Sequence, residues 1–168
     1  QYLLGAEAQW QGISWVLSGY VSQRKQLVVA SADLAVAAND PNGLPYVSTG
    51  RGATTGVEAI AKLFRKHWFG WVAYSYARST RRDGPYAPLR RFDYDQPHNI
   101  VAMGSYQRGA WLFSARFSYA SGTPYTKVES ATYQPANDTY VPAYGELNGE
   151  RLPAQHQLDL RVERTCGV

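Results

Sequence analysis

The stretch WLFSARFSY at residues 111–119 decides the fold. Its odd-numbered positions are all apolar or aromatic, and its even-numbered positions carry Ser or Arg everywhere except at Leu112. A repeat of two residues places alternate side chains on opposite faces of an extended chain. This stretch therefore predicts a β-strand with one apolar face and one polar face.

Other parts of the chain show the same alternation. They are residues 4–10, 13–19, 57–63 and 157–163. Within the third of these runs, Ile60 interrupts the alternation. Two more segments, 68–82 and 98–107, are rich in Tyr, Val and aromatic side chains, which favour strands. Their composition leaves open which of their faces is the apolar one.

The connections between these runs alternate in length. The short ones are 11–12, 65–67 and 108–110, and the long ones are 28–49, 83–95 and 121–153. An up-and-down barrel of an outer membrane has tight periplasmic turns and long outer loops, whereas long loops without regular structure are unusual in a compact domain. We therefore predict an all-β fold, an antiparallel up-and-down transmembrane β-barrel segment of about seven strands. A soluble β-sandwich or a piece of a β-propeller is the alternative.

The composition agrees with this fold. Mean hydropathy is -0.39, and no run of roughly 20 mostly apolar residues is present, which excludes helical membrane spans. The strands of a membrane barrel do not give a high mean hydropathy, because every second residue is polar. The 13 Tyr and 5 Trp residues suit the membrane–water interface, where an aromatic ring lies with its polar tip in water.

Cysteine content and strand number limit the possibilities further. The lone Cys166 cannot form an internal disulfide, and no Cys or His residues have the spacing of zinc ligands. No secretory signal precedes the first strand, and no terminal aromatic residue follows the last, so we expect a processed or truncated chain. A bacterial barrel needs roughly eight or more strands to close. We therefore expect an arc of a larger barrel unless a strand has been missed.

The net charge of +4 comes largely from arginines around one long connection. The arginines are Arg78, Arg81, Arg82, Arg90 and Arg91, and the acidic residues among them are Asp83, Asp93 and Asp95. They could contact lipopolysaccharide phosphates or an anionic ligand, or they could be solvated loop charges, which is the simpler interpretation. Nucleic-acid binding is disfavoured, because the alternation places aromatic and basic side chains on opposite faces.

Several short sequences resemble the C-terminal half of TonB-dependent outer-membrane receptors. They are GRG at 50–52, GVE at 56–58, FDYDQPHN at 92–99, GSY at 104–106, the run 111–119, ASGTPYT at 120–126, and RLP at 151–153 leading through His156 to 157–162. Their order and the loop lengths between them carry the resemblance, which spans nearly the whole chain.

The resemblance implies a barrel of about 22 strands filled by an N-terminal plug domain. Residues 1–168 would then be a partial barrel domain from which the plug, the TonB-contacting box and the final strands are absent. The implied partners are outer-membrane lipid and lipopolysaccharide, the plug of the same parent chain, TonB and a small-molecule nutrient. The implied function, in the bacterial outer membrane, is TonB-energised uptake of a scarce nutrient such as a ferric siderophore, cobalamin or a glycan.

The matched positions also receive structural roles from the resemblance. They are Asp95, Gln96, His98, Gly122, Pro124, Tyr125, Arg151, Asp159 and Arg161. Gly122 and Pro124 would let the chain turn sharply as it leaves the membrane. Asp95, Gln96 and His98 would hydrogen-bond loop backbone at the outer rim.

Charged side chains of the strands are expected to face the barrel lumen, because a charge on the lipid face near mid-membrane costs about 2 to 4 kcal/mol. The candidates are Glu58, Lys62, Arg116, Asp159, Arg161 and Glu163. They could pair across strands or meet the plug, and pairing across strands is the simpler expectation.

Two other functions stay open. A passive pore or structural barrel would lack a plug and a TonB box, and a soluble β-sandwich that binds carbohydrate would fractionate without detergent. No catalytic, cofactor or metal motif is present, so we predict no enzymatic activity. The one enzymatic alternative is a barrel hydrolase with His98 or His156 as base and Ser105 or Ser114 as nucleophile.

Overall fold

The computed structural model describes residues 1–30 and 46–166. The strands are β1 (Tyr2–Trp10), β2 (Ile13–Ala30), β3 (Tyr46–Phe64), β4 (Trp68–Arg82), β5 (Arg90–Arg91), β6 (His98–Arg108), β7 (Trp111–Ala120), β8 (Pro124–Tyr125), β9 (Val128–Gln134), β10 (Thr139–Tyr144), β11 (Glu150–Arg151) and β12 (Gln155–Arg164). No helix that could span a membrane is found among these described residues.

One large antiparallel sheet contains most of the chain. Its strands pair in the order β1, β2, β3, β4, β6, β7, β12, and β5 adds to the end of β4. Each strand therefore lies beside the next one in sequence, apart from the short strands of the connections. The predicted all-β, antiparallel, up-and-down fold is confirmed. In the described part of the chain β1 and β12 are the two edges, so this sheet is an arc.

Tight turns close the hairpins at one end of the sheet. Between β1 and β2, Gln11 and Gly12 have φ angles of 49° and 77°, which is the pattern of a type I′ turn and follows the twist of paired strands. Between β6 and β7, Gly109 has a φ of 59°, a conformation that glycine adopts without steric cost. The long connections leave from the other end, which we call the loop end.

Two strands are longer than predicted. β2 has 18 residues and β3 has 19, although the alternation ends at Gly19 and resumes at Val57. About 9 to 11 residues suffice to cross a membrane, so both strands extend far beyond that length. An alternation of polarity appears only where one face of a strand is apolar. A strand whose two faces are both polar continues its hydrogen-bonded ladder without such an alternation, so the sequence does not reveal its full length. The predicted connection 28–49 is shortened accordingly, and its residues 31–45 lie outside the described residues.

The prediction of about seven strands is incomplete, because the long connection 121–153 contains short strands of its own. β9 and β10 form a hairpin within it, and β8 pairs with β11 near its base. Every residue of β9 and β10 is exposed. A hairpin without a buried face has no alternation of polarity, which explains why the sequence did not predict it.

The register of the sheet settles the orientation of β4 and β6. Paired residues of neighbouring strands lie on the same face. One continuous row across the sheet consists of Ala8, Trp15, Ala61, Val72, Ala102, Phe117 and Leu158. This row defines the apolar face, which also receives Trp68 and Tyr76 from β4 and Ile100 and Tyr106 from β6. The other side of the sheet is the polar face.

Ile60 does not interrupt β3. It lies on the polar face, where it pairs with Val16 and Ala73, and Ala73 pairs in turn with Val101. The residue that breaks the alternation in sequence therefore belongs to a short apolar row within the polar face.

No protein layer covers the apolar face in the described part of the chain. Val29 is the one buried hydrophobic residue among the described residues. On the apolar face, Trp15, Leu17, Leu158 and Leu160 are 46%, 57%, 62% and 74% exposed. The accessible surface is 12962 Å², compared with about 8,300 Å² for a compact monomer of this mass. The strands are held together by their ladders, and the sheet has no hydrophobic core of its own.

Candidate functional site at the loop end of the sheet

Asp95 lies at the centre of a hydrogen-bond network at the loop end. Its side chain is 2% exposed, and Oδ1 accepts a hydrogen bond from the backbone N–H of Ser79 at 2.6 Å. The Arg151 guanidinium donates to Oδ2 and to the Asp95 carbonyl, and also to the carbonyl of Gly122 at 3.1 Å. A buried carboxylate needs partners of this kind, because an isolated charge out of water is costly.

Gln96 and His98 connect the same two parts of the chain. Gln96 Nε2 donates to the carbonyl of Ser121 at 2.9 Å. The backbone N–H of His98 donates to Ser121 Oγ at 3.1 Å, and Ser121 N–H donates to the His98 carbonyl at 2.8 Å. The His98 ring also bonds to the Tyr74 hydroxyl through Nδ1 at 2.9 Å. Residues 95–98 are thereby joined to the start of connection 121–153.

Gly122, Pro124 and Tyr125 lie where that connection begins. A Cβ added at Gly122 would lie 1.7 Å from the carbonyl oxygen of Leu152, so only glycine permits the two backbone segments to approach this closely. Pro124 pairs with Arg151 and Tyr125 with Glu150 in the β8–β11 ladder. The ladder brings Arg151 back to Asp95.

Asn148 is a member of this network that sequence reasoning missed. Its side chain is 6% exposed, and Nδ2 donates to the Arg91 carbonyl at 3.0 Å and to Asp93 Oδ1 at 2.7 Å. Its backbone has a φ of 59°, and its N–H donates to Thr126 Oγ1 at 3.0 Å. The Asn148-Gly149 pair was the available signal, because Asn-Gly marks turns that need this conformation.

A chain of ion pairs stabilises connection 83–95. Arg81 and Arg90 each donate through Nε to a different oxygen of Asp83 at 2.7 Å, and Arg90 Nη1 reaches Asp93 Oδ1 at 2.6 Å. Burial alone would raise the pKa of Asp83, but the hydrogen bonds from Arg90 and Arg81 outweigh it and lower the pKa. Burial is likewise outweighed at Asp93, where hydrogen bonds from Asn148 and Arg90 lower the pKa.

The six charged residues predicted to face a lumen lie together on the polar face. Lys62, Arg116 and Asp159 belong to one row across the sheet, in which Arg116 and Asp159 are directly paired. Glu58 is paired with Ser18 and Ser75 in another row. Among these six residues, the ion pair runs along β12, from Arg161 to Glu163. Asp159 accepts its hydrogen bond from Gln157 at 2.8 Å, also within β12.

The hydrolase alternative is wrong for the residues it invoked. Ser105 and Ser114 pair with each other on the polar face, whereas His98 and His156 pair with residues of the apolar face. A general base must come within about 3 Å of the proton it removes, which opposite faces of a sheet do not permit. Residues 1–30 and 46–166 also contain no group of three or more His, Cys, Asp or Glu side chains placed to hold a metal ion.

Comparison with known proteins identifies the kind of chain that carries this geometry. None of the curated proteins compared with it matches. A protein-family model described as TonB dependent receptor-like, beta-barrel matches residues 1–164. That family consists of outer-membrane receptors and transporters, and not of enzymes. The sheet order, the uncovered apolar face and the loop-end network thus all lie within the matched region, and the chain belongs to the TonB-dependent receptor-like β-barrel family.

Proposed function

We propose that this chain forms part of the wall of a bacterial outer-membrane receptor that imports a scarce nutrient with energy supplied through TonB. The uncovered apolar face is the observation that carries the proposal. Contiguous apolar surface of this extent on a soluble monomer is unusual, and the family match makes hydrocarbon the natural covering. Lipid chains would pack against the row from Trp15 to Leu158, and the polar face would look into the barrel.

Aromatic residues on the apolar face support a membrane placement. At the turn end the Trp68 and Tyr106 rings lie 4.4 Å apart, and those of Trp111 and Phe113 lie 6.3 Å apart. Towards the loop end, Tyr76 faces the same way. From Trp68 to Tyr76 the strand rises about 26 Å along its own axis, or about 20 Å along the normal of a membrane in which strands tilt by about 40°. This height approaches the apolar band of about 25 Å that outer-membrane barrels display.

The rest of the receptor would lie outside this chain. We propose that residues 1–168 belong to the C-terminal part of a barrel of about 22 strands, and that the plug and the remaining strands are supplied by the parent protein. β1 and β12 would then pair with neighbouring strands instead of exposing edges to lipid. The charged row of Lys62, Arg116 and Asp159 would face the plug or lumen water.

The loop end would contact the nutrient. The Asp95–Arg151 network fixes the bases of two connections, and exposed aromatic side chains project beyond it. Tyr133 and Tyr140 of the β9–β10 hairpin have ring centroids 5.2 Å apart and are 46% and 71% exposed. Paired aromatic rings present flat apolar surface to a ligand. We propose a ferric siderophore, cobalamin or a glycan as the class of nutrient.

A comparison of conductance and uptake tests this function. In a planar bilayer the full-length receptor should hold ions back, because its plug fills the barrel, whereas a passive pore would conduct. In cells, uptake of at least one of ferrichrome, ferric enterobactin, cyanocobalamin or a maltodextrin should require both the receptor and TonB. Open-pore conductance, or uptake that continues without TonB, would instead support the passive pore.

A further inference from the structure

Two arginines on the apolar face of the sheet are paired with each other. Arg51 of β3 and Arg82 of β4 are direct cross-strand partners, on the same face as Tyr76 and beyond it towards the loop end. Arg78 lies on this face as well, opposite Thr55. Like charges directly opposite each other destabilise a sheet. Among the described residues no carboxylate pairs with any of these three side chains, all of which are exposed.

The three other arginines around connection 83–95 are already engaged. Arg81 and Arg90 are neutralised by Asp83 and Asp93, and Arg91 donates to the carbonyl of Gly149 at 2.7 Å. The five arginines around connection 83–95 therefore divide into three that stabilise the loop and two, Arg78 and Arg82, that do not. Strand pairing places Arg51, which is distant in sequence, beside Arg82.

A bulge in β2 adds a fourth basic residue. The register shifts between Arg24 and Leu27, and Gln26 has a φ of 58°, which is the geometry of a β-bulge. Lys25 thereby comes beside Arg51. A cavity of about 270 Å³ opens here, lined among others by Gln23, Lys25, Arg51, Thr80, Arg82 and Leu89. We name Lys25, Arg51, Arg78 and Arg82 the outer basic row.

We propose that the outer basic row binds the phosphorylated headgroup of an outer-leaflet glycolipid, lipopolysaccharide. Guanidinium groups bind phosphate through paired, charge-assisted hydrogen bonds, and the Gln23 amide adds a further donor at the cavity wall. A bound phosphate would also remove the repulsion between Arg51 and Arg82. This inference rests on the proposed function, because the ligand reaches the row only if lipid covers the apolar face.

The position of the row favours a lipid over a soluble anion. Along β4, Tyr76, Arg78 and Arg82 follow one another on the same face, and Arg82 lies about 20 Å along the strand from Tyr76. A basic row that begins beside Tyr76 and continues towards the loop end matches a headgroup whose acyl chains lie against the apolar face. A site for free phosphate would need neither this continuity nor this length.

Binding of defined lipids to the full-length receptor in detergent tests the proposal. The triple variant Lys25→Gln, Arg51→Gln, Arg82→Gln should raise the apparent Kd for phosphorylated lipopolysaccharide about tenfold or more, since each lost charge-assisted hydrogen bond weakens binding. The control Lys66→Gln, Arg108→Gln, Arg164→Gln removes the same charge from the turn end and should leave the Kd unchanged. Arg51→Lys with Arg82→Lys should bind with intermediate affinity, because charge is kept and paired donation is lost.

Three ligands separate the sources of phosphate. Wild-type receptor should bind phosphorylated lipopolysaccharide, and should bind phosphate-stripped lipopolysaccharide and inorganic phosphate much more weakly. Equal binding of the stripped lipid, competition by inorganic phosphate alone, or an unchanged Kd in the triple variant would overturn the site. Heat-modifiable gel migration shows that each variant is a folded barrel. A wild-type receptor that fractionates without detergent would instead contradict the proposed function itself.

Discussion

Asp95 and Arg151 lie in different long connections and form an ion pair in which the carboxylate is 2% exposed. The same guanidinium donates to the carbonyls of Asp95 and Gly122. One side chain thus joins the connection after β4 to the connection after β7. The β6–β7 ladder already joins the two loops at their bases through His98 and Ser121, and the Asp95–Arg151 pair adds a link beyond the sheet.

Loss of Arg151 should loosen both connections. Arg151→Met in the full-length receptor leaves the buried Asp95 carboxylate with the Ser79 N–H but without its charged partner, which costs about 3 to 5 kcal/mol. We expect chymotrypsin to cleave at the tyrosines of 121–153 faster than in wild type. Arg161→Met is the matched control, because Arg161 is 75% exposed in its pair with Glu163 and such pairs contribute little. Equal cleavage rates in the two variants would contradict the role given to Arg151.

Gly122 should tolerate no side chain. In Gly122→Ala the new Cβ would lie 1.7 Å from the Leu152 carbonyl oxygen, so the β8–β11 ladder must separate, at a cost of about 1 to 3 kcal/mol. Gly84→Ala is the control, because nothing lies within 4 Å of a Cβ at that position. Hydrogen exchange of residues 121–126 and 150–153 should accelerate in the first variant and not in the second; protected amides in both would refute the steric argument.

Acid should weaken the ion pairs of connection 83–95. The pKa values of Asp83 and Asp93 are lowered in the folded protein from their usual 3.8, so their contribution is complete above that pH and is lost as pH falls through the lowered values. Urea unfolding should therefore separate wild type from Asp83→Asn with Asp93→Asn at neutral pH. The difference should shrink progressively below pH 3.8. A difference independent of pH would mean that these carboxylates do not stabilise the fold by ionisation.

Charge on the apolar face should be far more costly than charge on the polar face. Phe117 and Ser118 are neighbours in β7 and lie on opposite faces. Phe117→Arg should destabilise the receptor in lipid vesicles by about 2 to 4 kcal/mol if this position lies near mid-membrane, while Ser118→Arg should cost much less. The measurement is the urea midpoint of unfolding for each variant, and similar midpoints would indicate that both faces are wet.

The sequence predicts those features that leave a local trace. β7 and β12 could be read directly, because Phe117 and Leu158 alternate with polar residues on a sheet with one apolar face. The sequence did not decide which face of β4 is apolar, because its two faces carry Trp68 and Trp71 respectively. Pairing with β3, whose alternation identifies its own apolar face, decides between them. The hairpin around Tyr133 and Tyr140 had no signal, as neither face is buried.

The loop-end site was only partly predictable. Asp95, Gln96 and Gly122 belong to short sequence motifs that resemble the family, so their position at the outer rim could be predicted. The contact of Asn148 with Arg91 and Asp93 joins residues of different loops, and that of Arg51 with Arg82 depends on strand register. Lys25 joins Arg51 because of one bulged residue, Gln26. Such contacts are set by long-range geometry, and no spacing along the chain encodes them.

The most direct test of the account is a nitroxide scan of residues 157–163 in the full-length receptor within lipid vesicles, with Cys166→Ser removing the native thiol. Collisions with oxygen, which concentrates in hydrocarbon, should be frequent at Leu158, Leu160 and Val162 and infrequent at the alternate positions. A water-soluble nickel chelate should be excluded from these three sites. Exclusion of both reagents there would mean that protein covers the apolar face, and free access of the nickel chelate would mean water; either result would contradict a wall that faces lipid.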